Sequence, residues 1–381
     1  MRSSVIRFQR DSFYWWQAII IAALMGFLYL EIFAIPFLRE KSNVVAFIGD
    51  SFAYEEFARN GSLEEMFLVG STFTSEGPIN LFGIVAIGKA AMWVSAHHYE
   101  YIVFVINVLL LALTMRNAQA IFSFYQARNY HAFLWLFMLN PAVLASMVSL
   151  NKEIFGLFFI SSFIRNLIHG SLGRYLLVLV ISYFVREFYA FTGVLFFVMS
   201  KLRLSPIYYL VAISAIFPFT ITREIMIPAD AFQQRYSDLL AALSEIDGHP
   251  FGYLITYWPK VVAGLYPGLA PHRFSELSLD NLYGDAMTFS SIAFAVCSLM
   301  VGLNILAGQR IPKVVLSMFW SYTFLACLPQ VSSHRFLFPL YTIMPMMVLL
   351  CGKRDSQERQ TLSEAARGGS RSVTAGAKQR G

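Results

Sequence analysis

The chain has 381 residues, 57% of them hydrophobic, 16% aromatic and only 14% charged, with a formal net charge of +6 and a mean hydropathy of +0.57. A soluble domain carries about 25% charged residues, so these charges cannot cover a water-facing surface, and the basic ones sit at the ends and in short connectors without the basic-aromatic stripe of a nucleic-acid platform. The apolar runs are continuous rather than alternating, which argues against an outer-membrane barrel and leaves lipid-embedded helices of about 20 apolar residues each.

Arg2, Arg7 and Arg10 precede the first apolar run, about Gln17 to Leu38, with Trp15 and Trp16 at its edge where an aromatic belt places them. The run is longer than a signal-peptide core, and Glu31, Pro36 and Phe37 interrupt or follow it. It reads as an uncleaved first span with a cytoplasmic N-terminus. Residues 39–78 form a connector with Glu55, Glu56, Glu64, Glu65 and Glu76, too polar to span. Ser62-Leu63-Glu64-Glu65 has capping-box spacing and predicts a short helix there. Helices lying on the outer leaflet are the expected form.

Ile79 to Ser95 and Tyr101 to Met115 are shorter apolar runs, followed by a mixed, basic stretch from Arg116 to Tyr130. Ala132 to Leu150 and Ile154 to Ile168 are joined at Asn151-Lys152-Glu153, and Tyr175 to Ser200 is interrupted by Arg186 and Glu187. Pro206 to Ile221 comes next. The second long connector, 222–286, holds Tyr257-Trp258-Pro259 and Tyr266-Pro267-Gly268-Leu269-Ala270-Pro271, an aromatic surface suited to the headgroup level. The last runs are Met287 to Ala307, Val314 to Leu328 and Phe336 to Cys351. Lys201 and Arg203, then Arg310 and Lys313, mark cytoplasmic connectors. The tail, 353–381, is polar, Gly/Ser-rich and basic, as a disordered cytoplasmic end is.

These runs predict an all-α integral membrane protein: one polytopic domain over 1–352, about ten transmembrane helices, both termini inside, and two long extracytoplasmic loops (39–78 and 222–286) carrying short interfacial helices. One feature disagrees with charge counting. Arg116 and Arg128 then fall on the outer side, and the sidedness of the Asn151–Glu153 turn stays open. No internal repeat supports an inverted-repeat transporter.

Charged side chains within spans mark function. Asp50 opens a predicted helix with Tyr54 and Phe57 on its face; it reads as an N-cap, as a chemical acid, or as both. Lys152 and Glu153 read as a polar turn or as part of a site. Arg186 and Glu187 stand near the middle of a run that should cross the bilayer, either paired with another span or lining a cavity. Arg223 sits where the seventh span leaves the membrane, and His334-Arg335 opens the last span. Arg335 reads as a headgroup anchor or as a phosphate holder. Cys297, Cys327 and Cys351 give no ligand spacing, and His97-His98 lacks ligand-spaced partners, so no metal site is expected. The chain has no phosphate-binding glycine loop, nucleophile elbow or HExxH, so no nucleotide or other cofactor is called for. One outward acid, several cations near the outer leaflet and an aromatic loop suit sugar transfer from a polyprenyl phosphate. The carboxylate would take a proton from an acceptor hydroxyl, and the cations would stabilise the departing phosphate.

Gly49-Asp50-Ser51, the Asn140-Pro141 span followed by Asn151-Lys152-Glu153, and Ser333-His334-Arg335-Phe336-Leu337-Phe338-Pro339-Leu340-Tyr341 together resemble the GT-C class of membrane glycosyltransferases and the related Wzy-like O-antigen or exopolysaccharide polymerases. The resemblance covers the arrangement of nearly the whole chain through short motifs. In the GT-C class it implies that Asp50 serves as base or helps hold a metal. In the Wzy kind it implies that Arg186, Arg223 and Arg335 engage a polyprenyl diphosphate. The chain departs from the longer GT-C enzymes in lacking a soluble C-terminal domain and an adjacent acidic pair in the first loop, which weakens a metal-dependent mechanism.

The expected protein is therefore an enzyme of the bacterial plasma (inner) membrane that moves sugar from a polyprenyl-(di)phosphate donor to a glycan or lipid-linked acceptor at the outer face. Its partners are those substrates and membrane lipid, without nucleic acid. Asp50 is the expected catalytic residue. Lys152, Arg186, Arg223 and Arg335 are the expected phosphate ligands, with Tyr54, Glu153, Glu187 and His334 in support. The alternative is a transporter or flippase of a lipid-linked oligosaccharide, with Arg186 and Glu187 lining the path.

Overall fold

The computed structural model describes residues 2–31, 49–62, 79–138, 140–148, 150–202, 204–220, 246, 251–265, 282–327 and 338–352. Among these residues the chain is helical throughout, without a strand. In order the helices are α1 (Arg2–Tyr29), α2 (Gly49–Asn60), α3 (Ile79–Val94), α4 (Tyr99–Phe124), α5 (Tyr130–Met138), α6 (Pro141–Ser146) and α7 (Glu153–Ile168). There follow α8 (Leu172–Val185), α9 (Glu187–Leu202), α10 (Pro206–Thr220), α11 (Gly252–Leu265), α12 (Leu282–Leu306), α13 (Lys313–Ala326) and α14 (Leu340–Leu350). Among the described residues two stretches, Tyr99–Phe124 and Thr288–Leu306, are long and apolar enough to cross a membrane.

Helix α7 is the axis of the bundle. It is buried along nearly its whole length and touches α4, α6, α8, α9, α13 and α14. Its contact with α4 is partly polar. Asn117 donates to the Ser161 and Ser162 hydroxyls at 3.2 and 2.8 Å and accepts from Arg165 at 2.9 Å. The outer surface is the reverse: Leu24 and Leu28 on α1, Leu176, Leu177 and Val180 on α8, and Leu299, Leu303 and Leu306 on α12 are all exposed. Buried Asn, Ser and Thr beneath an apolar exterior invert the usual distribution of a water-soluble protein.

The contacts fix which helix ends lie together. α1 runs against α4 in the opposite direction, with Trp15 donating to the Ala112 carbonyl and Phe27 beside Tyr101 and Phe104. α4 and α7 run the same way, since Asn117 meets Ser161 while Phe124 meets His169, the C-cap of α7. At the far end of both, Arg165 stands within electrostatic reach of Arg116 and Arg174, and His169 meets Phe124 edge-on. The α14 terminus reaches the same end, where the Gly352 amide donates to the Arg310 carbonyl. One end of the bundle is therefore basic, and it holds Arg116, which the predicted topology places with the outer loops.

Three predicted spans take another form. The run 175–200 is not one helix. Arg186 is extended (φ −163°, ψ 115°) between α8 and α9, and the chain reverses there: Tyr175 donates to the Gly193 carbonyl at 2.6 Å and its ring lies tilted against Phe197 at 5.7 Å. A β-carbon at Gly193 would stand 2.7 Å from Leu179 and 2.8 Å from Phe163, so the missing side chain lets the hairpin close. Arg186 is thus the apex of a hairpin rather than the middle of a crossing. The run 132–150 is broken at Asn140-Pro141, because a residue before proline is pushed out of helical geometry. Asn140 is extended (φ −69°, ψ 117°) and its side chain accepts from the Ala142 and Val143 amides and from the Ser290 hydroxyl at 2.7 Å. Asn151 does the same at the next break, donating to the Ser146 carbonyl at 2.9 Å and accepting from the Glu153 amide at 3.2 Å. Buried irregular backbone persists here because side chains satisfy it. Finally, α3 packs its Gly83 against Phe184 and Val185 at the hairpin apex and extends only four residues, about 6 Å, beyond that level. It occupies one half of the bundle.

The tail 353–381 and the residues 63–78 that follow the capping-box Ser62 lie outside the described residues.

Candidate functional site

Three helices begin at one place, opposite the basic end. Lys152 is the N-cap of α7. The Tyr189 hydroxyl, in the first turn of α9, donates to the Lys152 carbonyl at 3.2 Å. At Gly156 a β-carbon would stand 2.5 Å from that hydroxyl and 2.8 Å from Cγ of Pro339, the N-cap of α14. The absent side chain at Gly156 is what allows α9 and the start of α14 to close on α7. Each helix N-terminus carries roughly half a positive charge, and converging N-termini with cationic side chains favour an anion.

The charged side chains at this junction are buried: Lys152 is 2% exposed, Glu153 6% and Arg186 8%. Tyr322, fully enclosed on α13, lies within electrostatic reach of Arg186, Glu153 and Tyr189, and its ring meets Phe188 edge-on at 5.3 Å. Glu153 and Glu187 occupy the first turns of α7 and α9, where the helix dipole favours a carboxylate.

Helix α2, within the first predicted outer loop, closes the junction. The Lys152 ammonium sits 5.2 Å from the centre of the Tyr54 ring. Ala58, one turn on, lies against α3 beside Leu150, where a β-carbon at Gly88 would stand 3.0 Å from Ala58 and 2.9 Å from Leu150. Glu55 accepts from the Tyr99 hydroxyl and pairs with Arg59 at 2.8 Å, which ties α2 to the start of α4. Tyr101 similarly donates to Glu31 at 2.6 Å, anchoring the end of α1.

Of the expected site residues, Lys152, Glu153, Arg186 and Tyr54 share this junction, and Glu187 follows Arg186 as the first residue of α9. The Asp50 backbone lies in the first turn of α2, one turn before Tyr54; its side chain is outside the described ones. Arg223, His334 and Arg335 lie outside the described residues, although Phe338 and Pro339 from the same motif pack at the junction. His97 and His98 are exposed at the α3–α4 turn, and among the described residues no three His, Cys, Asp or Glu side chains stand together as metal ligands. Tyr189, Tyr322 and Gly156 also belong to this junction and are not among the residues the sequence marks. All three carry no local signal, since an aromatic residue or a glycine is ordinary in an apolar run.

The arrangement offers two dehydrated cations, flanking carboxylates and three helix N-termini to an anionic group, with an acid-bearing helix alongside. Compared with family models, curated proteins and solved structures, the chain matches none.

Proposed function

We propose that this protein is a multi-pass membrane enzyme that transfers sugar from a polyprenyl-(di)phosphate donor at the outer face of the plasma membrane, in the manner of a GT-C glycosyltransferase or a Wzy-like polymerase. The observation that carries the reading is the convergence of Lys152, Arg186 and the starts of α7, α9 and α14 beneath α2. Phosphate would bind to these cations and dipoles. Asp50, on α2, would take the proton of the acceptor hydroxyl as the cations stabilise the departing phosphate. Arg223 and Arg335 are further phosphate ligands in this proposal.

The topology proposed with it keeps ten crossings but changes their membership. α1, α4, the α5–α6 pair, α7, α8, α9, α10, α12, α13 and α14 cross, whereas α3 stays in the outer half. The basic end, with Arg116, Arg165, Arg174, Lys201, Arg310 and Lys313, is then cytoplasmic, as the positive-inside rule asks. The conflict over Arg116 disappears, and the junction of Lys152 and Arg186 faces outward.

The test replaces Asp50→Asn and, separately, Arg186→Ala in the native host, with membrane insertion followed by immunoblot. Both variants insert and lose surface polysaccharide. Normal polysaccharide from both removes the proposal. Movement of a labelled lipid-linked sugar across liposomes by the purified protein, with no new glycosidic bond, assigns it instead to the flippase class.

A further inference from the structure

The basic end of the bundle, remote from the junction, holds a cationic cluster that sugar transfer does not use. Arg165, partly buried on α7, is its centre. The guanidinium donates to Asn117 on α4 at 2.9 Å, and Arg116 on α4 and Arg174 on α8 stand within electrostatic reach. Both of those are exposed. Among the described residues no carboxylate pairs with any of the three, and like charges held together repel. A charge that only marked the cytoplasmic side could stand apart in water, as the exposed Arg310 does. Asn117, itself bonded to Ser161 and Ser162, instead fixes Arg165 at the centre of the cluster.

The cluster stands at the mouth of a groove. α7 packs against α4 and α8, and α3 packs against the same two helices, so α3 lies in the groove that α4 and α8 form along α7. It fills only the outer part. From its contact with Val185 at Gly83, α3 continues about 6 Å to its start at Ile79, whereas Arg174 lies about 16 Å down α8 from Val185. About 10 Å of groove therefore separates the tip of α3 from the arginines. Its walls are apolar and open. Leu109 and Leu113 on α4 are 58% and 44% exposed and share a ridge with Arg116, and Leu177 on α8 is 60% exposed and shares a ridge with Arg174. An apolar groove with a cationic mouth has the chemistry of a phospholipid in reverse.

We propose that this groove binds an anionic phospholipid of the inner leaflet, its headgroup phosphate held by Arg116, Arg165 and Arg174 and an acyl chain lying between α4 and α8 up to the tip of α3. The planar Arg165 fork, with one N–H committed to Asn117, offers its remaining donors to a phosphate. Basic pockets between spans on the cytoplasmic side are where such headgroups bind. The lipid offsets the mutual repulsion of the three cations and covers the apolar walls that α3 leaves open. Its placement in the inner leaflet rests on the topology proposed above, while the groove is independent of the sugar-transfer reading.

The experiment uses native mass spectrometry of the full chain in mild detergent to measure retained phosphatidylglycerol and phosphatidylcholine, with glycerol 3-phosphate as a headgroup-only competitor. The wild type prefers phosphatidylglycerol by about tenfold, the worth of one charge-assisted contact, and glycerol 3-phosphate does not displace it. Arg165→Gln, which removes the charge and keeps an amide, abolishes the preference, and Arg165→Lys retains part of it. The double variant Arg116→Gln with Arg174→Gln, at two exposed positions, also abolishes it and serves should Arg165→Gln fail to fold. Arg310→Gln leaves it unchanged. A preference that survives in the double variant overturns the proposal. Equal loss in Arg310→Gln also overturns it, reducing the effect to general surface charge, and displacement by glycerol 3-phosphate makes the cluster a site for free phosphate rather than lipid. None of these readouts depends on polysaccharide synthesis, so failure of the sugar-transfer reading is a separate result. Labelling of Gly170→Cys by an impermeant maleimide from the outer face would overturn the leaflet assignment.

Discussion

Lys152 and Tyr54, far apart in the chain, meet across two elements, with the ammonium 5.2 Å from the ring centre. One belongs to the buried start of α7 and the other to the loop helix that carries Asp50. The contact fixes α2, and with it the Asp50 backbone, over the cationic junction. A cation–π contact of this kind, largely desolvated, is worth about 1–2 kcal/mol. Tyr54→Phe keeps the ring face and is expected to support surface polysaccharide at close to the wild-type rate. Tyr54→Ala loses the ring and should slow synthesis about tenfold, the rate equivalent of about 1.4 kcal/mol, without reducing the amount of inserted protein. Equal rates from the two variants would show that Tyr54 does not position α2.

The α8–α9 hairpin makes a prediction about sidedness. Gly170, before α8, and Leu202, at the end of α9, are both exposed. If the chain reverses at Arg186, cysteines placed at the two positions, in a protein with Cys297, Cys327 and Cys351 replaced, react with an impermeant maleimide from the same face of the membrane, the cytoplasmic one. A single crossing through 175–200 would put them on opposite faces, and labelling from opposite faces is the outcome that discards the hairpin.

Much of this architecture is legible in the sequence. Apolar composition without surface charge dictates an all-helical bundle with an apolar exterior, and the polar interruptions at Asn151-Lys152-Glu153 and Arg186-Glu187 mark where the chain breaks. What hydropathy does not report is whether a break bends the chain or reverses it. Arg186 within 26 apolar residues reads equally as a charge at mid-membrane or as a turn, and Gly193 resolves the ambiguity only through its contact with Leu179 and Phe163. The same holds for α3, whose 16 residues have the hydropathy of a span but pack against the hairpin apex. Lys152 and Arg186 could be singled out because charge in an apolar run is rare. Tyr189, Tyr322 and Gly156 could not, since an aromatic residue or a glycine is ordinary in such runs and acquires a role only when helices from distant parts of the chain meet.

Gly156 tests that meeting directly. A methyl group there would stand 2.5 Å from the Tyr189 hydroxyl oxygen and 2.8 Å from Pro339 Cγ, so Gly156→Ala must push α9 or the start of α14 away from α7. Overpacking of this kind costs about 1–3 kcal/mol, and the variant should unfold at a lower temperature in detergent than the wild type. Adding Tyr189→Phe removes the closer atom and should recover part of the loss, although the hydrogen bond to the Lys152 carbonyl goes with it. An unfolding temperature unchanged by Gly156→Ala would mean that α9 and α14 do not close on this position.

The two buried charges at the start of α7 raise the question of whether Lys152 serves chemistry or only balances neighbouring carboxylates. Removing one member of a buried pair leaves the other uncompensated, at a cost of about 3–5 kcal/mol, so Lys152→Met alone would lower stability on either account. The informative variant is Lys152→Met with Glu153→Gln, which removes both charges at nearly constant volume. A structural pair replaced in this way is tolerated, and both stability and transfer would return. For a cation that stabilises the departing phosphate, the expected outcome is split. Stability returns towards the wild-type value in the double variant, while polysaccharide synthesis stays down by about a hundredfold, the typical loss on removing one charge-stabilising group. Both quantities come from one preparation, by thermal unfolding and by incorporation of labelled sugar. Recovery of synthesis in the double variant removes Lys152 from the site.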